Sequence, residues 1–360
     1  AGLFNWDNGF PTGRYRPVSM DPSWGNRSQP GGFDPDYGLS PYIQQWNFNV
    51  QRELAKNLVL DVGYVGSKGT RLRVSELRRI NQLHPSVLKD YGTLLNRPVR
   101  NAAEAAQYGI RYPYPGFSGT GASALRDFPQ VQGNQLVRMW GSPLGFSNHH
   151  SLQITLNRQF TSGLSLYANY TWAKTLANVN SSGHNDNPNT PLDYYNLALE
   201  KTYADHDIPH AFKAYATYEL PIGRGRTLWD GAGKLANTLL GGWTVSGIVN
   251  YSSGTPLEFL STTPLSGGWN GAVNRANVAA GELKAGGFDK NAFSLASTSA
   301  ASNTYLDKAK FSNPDPLTLG TGAPNYGSVR GFGQINEDLA LFKKTPLSTR
   351  FLKYANVFRS

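Results

Sequence analysis

The stretch Ser151 to Leu176, SLQITLNRQFTSGLSLYANYTWAKTL, constrains the chain more than any other. Leu152, Ile154 and Leu156 alternate with Ser151, Gln153, Thr155 and Asn157. After Thr161-Ser162-Gly163, Leu164, Leu166, Ala168, Tyr170 and Trp172 alternate with Ser165, Tyr167, Asn169 and Thr171. Alternation with period two predicts two strands, and the Thr-Ser-Gly step predicts a tight turn between them. Both arms are apolar on one face and carry amides, hydroxyls and a phenol on the other. A soluble sandwich buries such an apolar face in a core, whereas a membrane barrel turns it to lipid and lines a wet lumen with the polar face.

The pattern recurs along the chain. Trp46, Phe48 and Val50 alternate with Asn47, Asn49 and Gln51, and Leu58, Leu60, Val62 and Tyr64 resume the apolar face after Ala55-Lys56-Asn57. Phe212, Ala214, Ala216 and Tyr218 form another such face, as do Trp243, Val245, Gly247, Val249 and Tyr251. Ile335 to Phe342 reads as a further strand and Phe351 to Phe358 as a weaker one. The division is therefore a single β portion over 1–360: an extracellular loop over 1–39, held by ring packing, and a hairpin over 40–66. A long loop follows over 67–147, then a hairpin over 148–176, a long loop over 177–208 and a hairpin with a short helix over 209–253. A long loop over 254–330 and last strands over 331–360 complete it. Within 67–147, Leu83 to Leu95 is helical in part and Asn101 to Tyr108 forms one or two helical turns. Tight turns on one side and connections of tens of residues on the other argue for an outer-membrane barrel over a sandwich, which puts turns at both ends. The expected fold is all-β, an antiparallel up-and-down transmembrane β-barrel portion with short turns on one side and long loops on the other.

Composition agrees with many strands and ring-bearing interfaces: 39 Gly, 19 Tyr, 17 Phe and 8 Trp against 2 Met. The absence of cysteine excludes disulfides and thiolate metal sites. The formal charge of +10 is scattered, densest at Arg71, Arg73, Arg78 and Arg79, so it suits a solvated surface or anionic lipid rather than nucleic acid. The uncharged run Leu235 to Leu257 is interrupted by glycines and alternates with period two, which makes it a strand with flanks and not a helical span.

The motifs that could carry chemistry have plainer readings. Asp205-His206-Asp207-Ile208-Pro209-His210 has metal-ligand residue types, but Pro209 breaks the helix that an i, i+4 histidine pair needs. It reads as a polar junction from loop to strand. His149 and His150 point to opposite faces of a strand. Asp34/Asp36 and Asp205/Asp207 lack an EF-hand continuation and read as solvated turn carboxylates. Gly223-Arg-Gly-Arg226 reads as a turn, and no nucleophile motif is present, so no catalytic residue, cofactor or metal is expected. Trp46, Tyr64, Tyr170, Trp172, Tyr218, Trp243 and Tyr251 lie on the apolar faces, mostly near strand ends. Amphipathic rings at that level form the two girdles of a membrane barrel, so these seven are the expected lipid-interface residues.

Several short segments also resemble a known family. They include Ser40-Pro-Tyr-Ile-Gln-Gln-Trp-Asn-Phe-Asn-Val-Gln-Arg-Glu-Leu54, Val62-Gly-Tyr-Val-Gly-Ser-Lys-Gly-Thr70, Tyr170-Thr-Trp-Ala-Lys-Thr175 and Glu219-Leu-Pro-Ile-Gly223. Gly241-Gly-Trp-Thr-Val-Ser-Gly247, Ser253-Gly-Thr-Pro-Leu257 and Asn336-Glu-Asp-Leu339 continue the series. In number and order they resemble the barrel of Oar-like TonB-dependent outer-membrane receptors with a carboxypeptidase-regulatory-like N-terminal domain. The resemblance implies a barrel of about 22 strands with an internal plug. It also implies import of a scarce or bulky ligand, energised by an inner-membrane TonB-type complex. It corresponds to the later part of such a receptor, without the plug, and stops before the final strands. The expected partners are outer-membrane lipid and lipopolysaccharide, the TonB-type complex through the plug, and a ligand held by the long loops, in the bacterial outer membrane. The competing reading is a soluble secreted all-β protein that binds glycans through loop Trp and Tyr.

Overall fold

The computed structural model describes residues 31–74, 77–131, 137–178, 191–261, 265, 269, 274–291 and 305–345. Seven long strands form one sheet. They are β1 (Tyr42–Ala55), β2 (Leu58–Leu72), β3 (Gly145–Thr161), β4 (Leu164–Ala177), β5 (His210–Glu219), β6 (Trp243–Ser252) and β7 (Gln334–Lys343). Each pairs antiparallel with its predecessor, so spatial order follows chain order, and the short strand Thr202–Tyr203 extends the ladder along the end of β4. The sheet is open, with β1 and β7 at its two edges.

Register sorts the side chains of two adjacent rows across the whole sheet. One row across all seven strands reads Val50, Val62, Ile154, Tyr170, Phe212, Tyr251 and Ile335. The next row, one residue along and on the opposite face, reads Gln51, Asp61, Thr155, Asn169, Lys213, Asn250 and Asn336. A slip of one residue in any strand would exchange the two rows, so the alternation in sequence specifies the pairing. The turns fix it at one end. Ser162 and Gly163 have φ of 49° and 81°, as a two-residue turn of the type that matches strand twist requires. Asn57, with φ of 64°, closes the β1–β2 turn and donates from Nδ2 to Thr161 Oγ1 at 3.0 Å, tying neighbouring turns together.

At the other end the hairpin arms run further than the alternation over 40–66 and 148–176 indicates, since β2 continues to Leu72 and β3 starts at Gly145. Gly66, Gly69 and Thr70 interrupt the apolar rhythm there, so ladder hydrogen bonds carry the extension. The long connections 73–144, 178–209 and 253–333 gather at this end into a cap. The first contains helices α1 (Pro85–Tyr91), α2 (Ala102–Gln107) and α3 (Gly121–Ala124). Pro85 opens α1, and Asn101 caps α2 by accepting from Glu104 N, while Glu104 reaches back to Arg100 N at 2.7 Å. A fourth helix, α4 (Lys234–Leu240), lies between β5 and β6 at the turn end.

The apolar cores sit in the cap. One joins Leu83, Leu88, Leu95, Ala122 and Trp269, and the other joins Val99, Ala105, Ile110, Phe117 and Ala124. The wall has no such layer behind it. Phe48 is 69 % exposed, Trp172 57 % and Leu339 82 %. Two expectations need correction here. The segment before β1 is held by a ladder and an ion pair as well as by rings, for Gly31–Phe33 pairs parallel with Val137–Trp140. Asp34 is buried and not a solvated turn carboxylate, because Arg78 reaches it at 2.7 Å and Asp36 at 3.3 Å. Residues 1–30 and the weaker strand at 351–358 lie outside the described residues.

Since the cap carries its own core, its stability separates from that of the wall. Phe117→Ala is expected to destabilise the cap by about 3–5 kcal/mol. Hydrogen exchange should show lost protection across 97–125 with the β3–β4 ladder unchanged; equal loss in both would contradict a separate core.

Candidate ligand site at the junction of wall and cap

The cap is bolted to the wall where Asp207 meets Arg330. Asp207 ends the second long connection and is almost fully buried, with Oδ1 accepting from Thr175 N at the end of β4 at 2.5 Å. Its other oxygen takes Arg330 Nη2 at 2.7 Å. Arg330, from the third long connection, also donates to the carbonyls of Asp207, Gly254 and Gly327, so one guanidinium joins two connections to the strand end. The hydrogen-bonded fork of Arg suits this multidentate role. Gly327 packs flat on Tyr203, where an added Cβ would stand 2.4 Å from the ring. The cap connections also interlock with one another. Gln82 donates to Asp193 at 2.7 Å, Trp269 Nε1 to Leu192 O at 2.9 Å, and buried Arg275 meets buried Glu200 at 2.5 Å.

Beside the bolt lies a cavity of about 590 Å³. Its wall side is formed by Tyr64, His150, Leu152, Trp172, Lys174 and His210, and its cap side by Tyr203, Lys284, Ser328 and Arg330. Two of the wall contacts repeat. Tyr64 Oη meets His150 Nδ1 at 2.7 Å and Tyr170 Oη meets His210 Nδ1 at 2.8 Å, each pair stacked at nearly the same angle. In both, the histidine lies two residues before the tyrosine's register partner, Leu152 or Phe212, so one cross-strand diagonal is used twice. Lys174 Nζ stands 4.9 Å from the Tyr203 ring centroid, within cation–π range. Rings, imidazoles and two ammonium groups can hold sugars by stacking and anionic groups by charge-assisted hydrogen bonds. A second cavity, of about 420 Å³, lies inside the cap between Arg78–Gln82, Asp127 and Tyr194–Tyr195. Burial pushes the Tyr194 phenol up.

The seven aromatic residues fall into two groups on the apolar face. Trp46, Tyr64, Tyr170, Trp172 and Tyr251 stand toward the cap, and Tyr218 and Trp243 toward the turns. Tyr251 and Trp243 are eight residues apart on β6, about 27 Å along a strand and about 20 Å in height at the usual tilt. An outer-membrane barrel carries an apolar band about 25 Å tall between two such girdles. Tyr64 and Trp172 additionally line the junction cavity, a role that alternation alone does not reveal. Asp207, read from sequence as a solvated turn carboxylate, is instead the buried half of the bolt, and the neighbouring imidazoles are engaged separately, His206 with Asp205 and His210 with Tyr170. The signal in sequence is faint: an Asp before Ile-Pro at a strand start, with its arginine more than a hundred residues on.

An apolar sheet face with no core behind it, a polar opposite face, rings at both levels and a cap on the long-loop side define the wall of a membrane β-barrel. Among the described residues no helix is long and apolar enough to cross a membrane. The chain belongs to the outer membrane beta barrel domain family, whose model matches residues 1–355. It is thus a protein of the bacterial outer membrane, which sets aside the soluble secreted reading. No curated protein and no solved structure matches the chain.

Removing one partner of a buried ion pair strands the other charge, at a cost of about 3–5 kcal/mol. Arg330→Met should therefore free the third connection from the wall, seen as faster proteolysis within 254–333 and unchanged cleavage elsewhere. The cap also carries a proton linkage. Partial desolvation pushes up the carboxyl of Glu258, a residue that keeps solvent contact, with Arg275 opposing and Glu200 adding to the shift. The folded cap then binds a proton that the unfolded chain releases, so this group favours the fold as pH falls through its raised value and disfavours it as pH rises above. Glu258→Gln should flatten the dependence of cap stability on pH above the ordinary carboxylate range, and an unaltered slope would exclude Glu258 as its source.

Proposed function

We propose that the chain forms barrel wall and extracellular cap of an Oar-like TonB-dependent receptor, which binds a scarce or bulky ligand through its long loops and imports it without chemistry of its own. The observation that carries this reading is the cap. Three long connections interlock through Gln82–Asp193, Trp269–Leu192 and Arg275–Glu200, so the long-loop end of the wall carries one body with its own cores and cavities. An ordered body built from three loops, with a cavity at its junction with the wall, supports selective capture. The polar row from Gln51 to Asn336 gives the route beyond it a hydrated surface.

The segments that resemble the receptor family support the reading by where they fall. Tyr170-Thr-Trp172 carries the cap-side rings, Gly241-Gly-Trp243 starts β6 at the turn end, and Ser253-Gly-Thr-Pro-Leu257 enters the cap beside Arg330. Energy coupling would run through a plug domain, which none of the described residues forms. Lys174 and Lys284 at the junction suit the anionic groups of lipopolysaccharide, a second partner at that level of the membrane.

Uptake distinguishes this reading from a porin. In cells that carry the gene, a panel of labelled oligosaccharides, peptides and ferric chelates should include a compound whose entry saturates, stops with a protonophore and disappears in a deletion strain. Gene-dependent entry that is linear in concentration and indifferent to the protonophore would overturn it.

A further inference from the structure

Two of the connections at the turn end are two-residue turns, but the one between β5 and β6 runs over 220–242 and contains α4. Its carboxyl end is fastened from the apolar face of the wall. Trp243 Nε1 donates to Leu239 O at 3.1 Å, and Lys343 Nζ donates to Leu239 O at 2.7 Å and to Gly241 O at 3.2 Å. Trp243 and Lys343 are register partners on that face, so this end of α4 is held from the lipid side of the rim. From there α4 presents Leu235, 76 % exposed, and Leu239, 60 % exposed, four residues apart and on one helix face. Trp229, 63 % exposed, precedes them in the same connection. The same connection and the strand end beside it carry the cations Arg224, Arg226, Lys234, Lys343 and Lys344 against the carboxylates Glu219 and Asp230, with Arg226 and Lys344 both within ion-pair reach of Glu219.

We propose that the 220–242 connection is an interfacial foot, docked in the phospholipid leaflet on the turn side with its leucines among acyl chains and its cations on anionic headgroups. Continuity carries the first half. The apolar face of the wall is lipid-facing and ends at Trp243, and the exposed leucines extend it directly past that ring. Charge complementarity carries the second. Five cations against two carboxylates beside an apolar helix face is the composition of a helix that lies in an anionic interface. A turn whose only task was to reverse the chain would need two residues, as the other two turns do.

The chain has no cysteine, so one introduced thiol is a unique label site. The protein extracted from outer membranes, with an environment-sensitive fluorophore at Leu235→Cys or Leu239→Cys, is reconstituted in phosphatidylethanolamine vesicles with and without phosphatidylglycerol. Quenching by spin-labelled lipid at both positions, with little quenching by iodide, is the expected result. Dominant iodide quenching overturns the proposal, and so does protection from both quenchers, which would mean that protein covers the leucines. Arg224→Gln with Lys234→Gln should lower the docked-to-undocked ratio by about fivefold per cation in anionic vesicles only. Equal docking in both lipid mixtures, with or without these changes, overturns the role of the cations on anionic headgroups.

Discussion

Hydrocarbon offers a backbone no hydrogen-bond partner, and most of this architecture follows from that constraint. A sheet in lipid must satisfy every N–H and C=O within its own ladder, so consecutive strands pair with consecutive strands and the turns between them are short. The side chains are then sorted by medium. The row from Val50 to Ile335 meets lipid, and the row from Gln51 to Asn336, one residue along every strand, meets water. In a soluble protein an exposed Phe48, Trp172 or Leu339 would favour aggregation; here their exposure is how the wall is solvated.

The same constraint moves the packed core elsewhere. Above the membrane a long connection is surrounded by water and can stay ordered only by building its own interior, which is what Phe117 and Trp269 provide. Such a body still needs a fixed attachment. Two ion pairs supply it, Glu200 with Arg275 inside the cap and Asp207 with Arg330 at the strand end. Buried pairs are weak sources of net stability because desolvation offsets most of the attraction. Their geometry is demanding, though, and Arg330 can satisfy four acceptors only with two connections and the end of β4 in one arrangement. Specific placement of the cap, more than added stability, is what such a fastening supplies.

Sequence carries these two layers unequally. The wall is a local code: the alternation at Leu152 to Leu156 or Leu164 to Trp172 needs no distant partner to be legible, and neither does the turn at Ser162-Gly163. Boundaries were less legible, since β2 runs on through Gly66 and Gly69 where side-chain rhythm fails and only the ladder continues. Within the cap, Asn101 with Glu104 and Pro85 mark helix starts because capping is a local interaction as well. The junction is not local. Asp34 pairs with Arg78, Gln82 with Asp193 and Asp207 with Arg330, and each carboxylate or amide looks like an ordinary turn residue until its partner is brought to it. The two Tyr–His diagonals were half legible. Alternation places Tyr64 and His150 on the same face, but only register makes them neighbours.

The open edges set the remaining demand. β1 has 14 residues and β7 has 10, and on each the groups pointing away from the sheet lack a ladder partner among the described residues. At several kcal/mol for each unsatisfied group in hydrocarbon, either edge left bare would cost tens of kcal/mol, more than a domain's whole stability. In the membrane both edges must therefore be paired, by further strands or by a second chain. The inner face says how wide the closed structure is. A barrel of about eight strands has an interior just large enough for its own side chains. Here the inward row carries Gln51, Asp61, Asn169 and Lys213, with Tyr167 stacked on Tyr215 in the next, polar groups that need water around them. Closing these seven strands with one more would crowd such groups against each other, dehydrating Asp61 and Lys213. A wider circumference keeps them solvated.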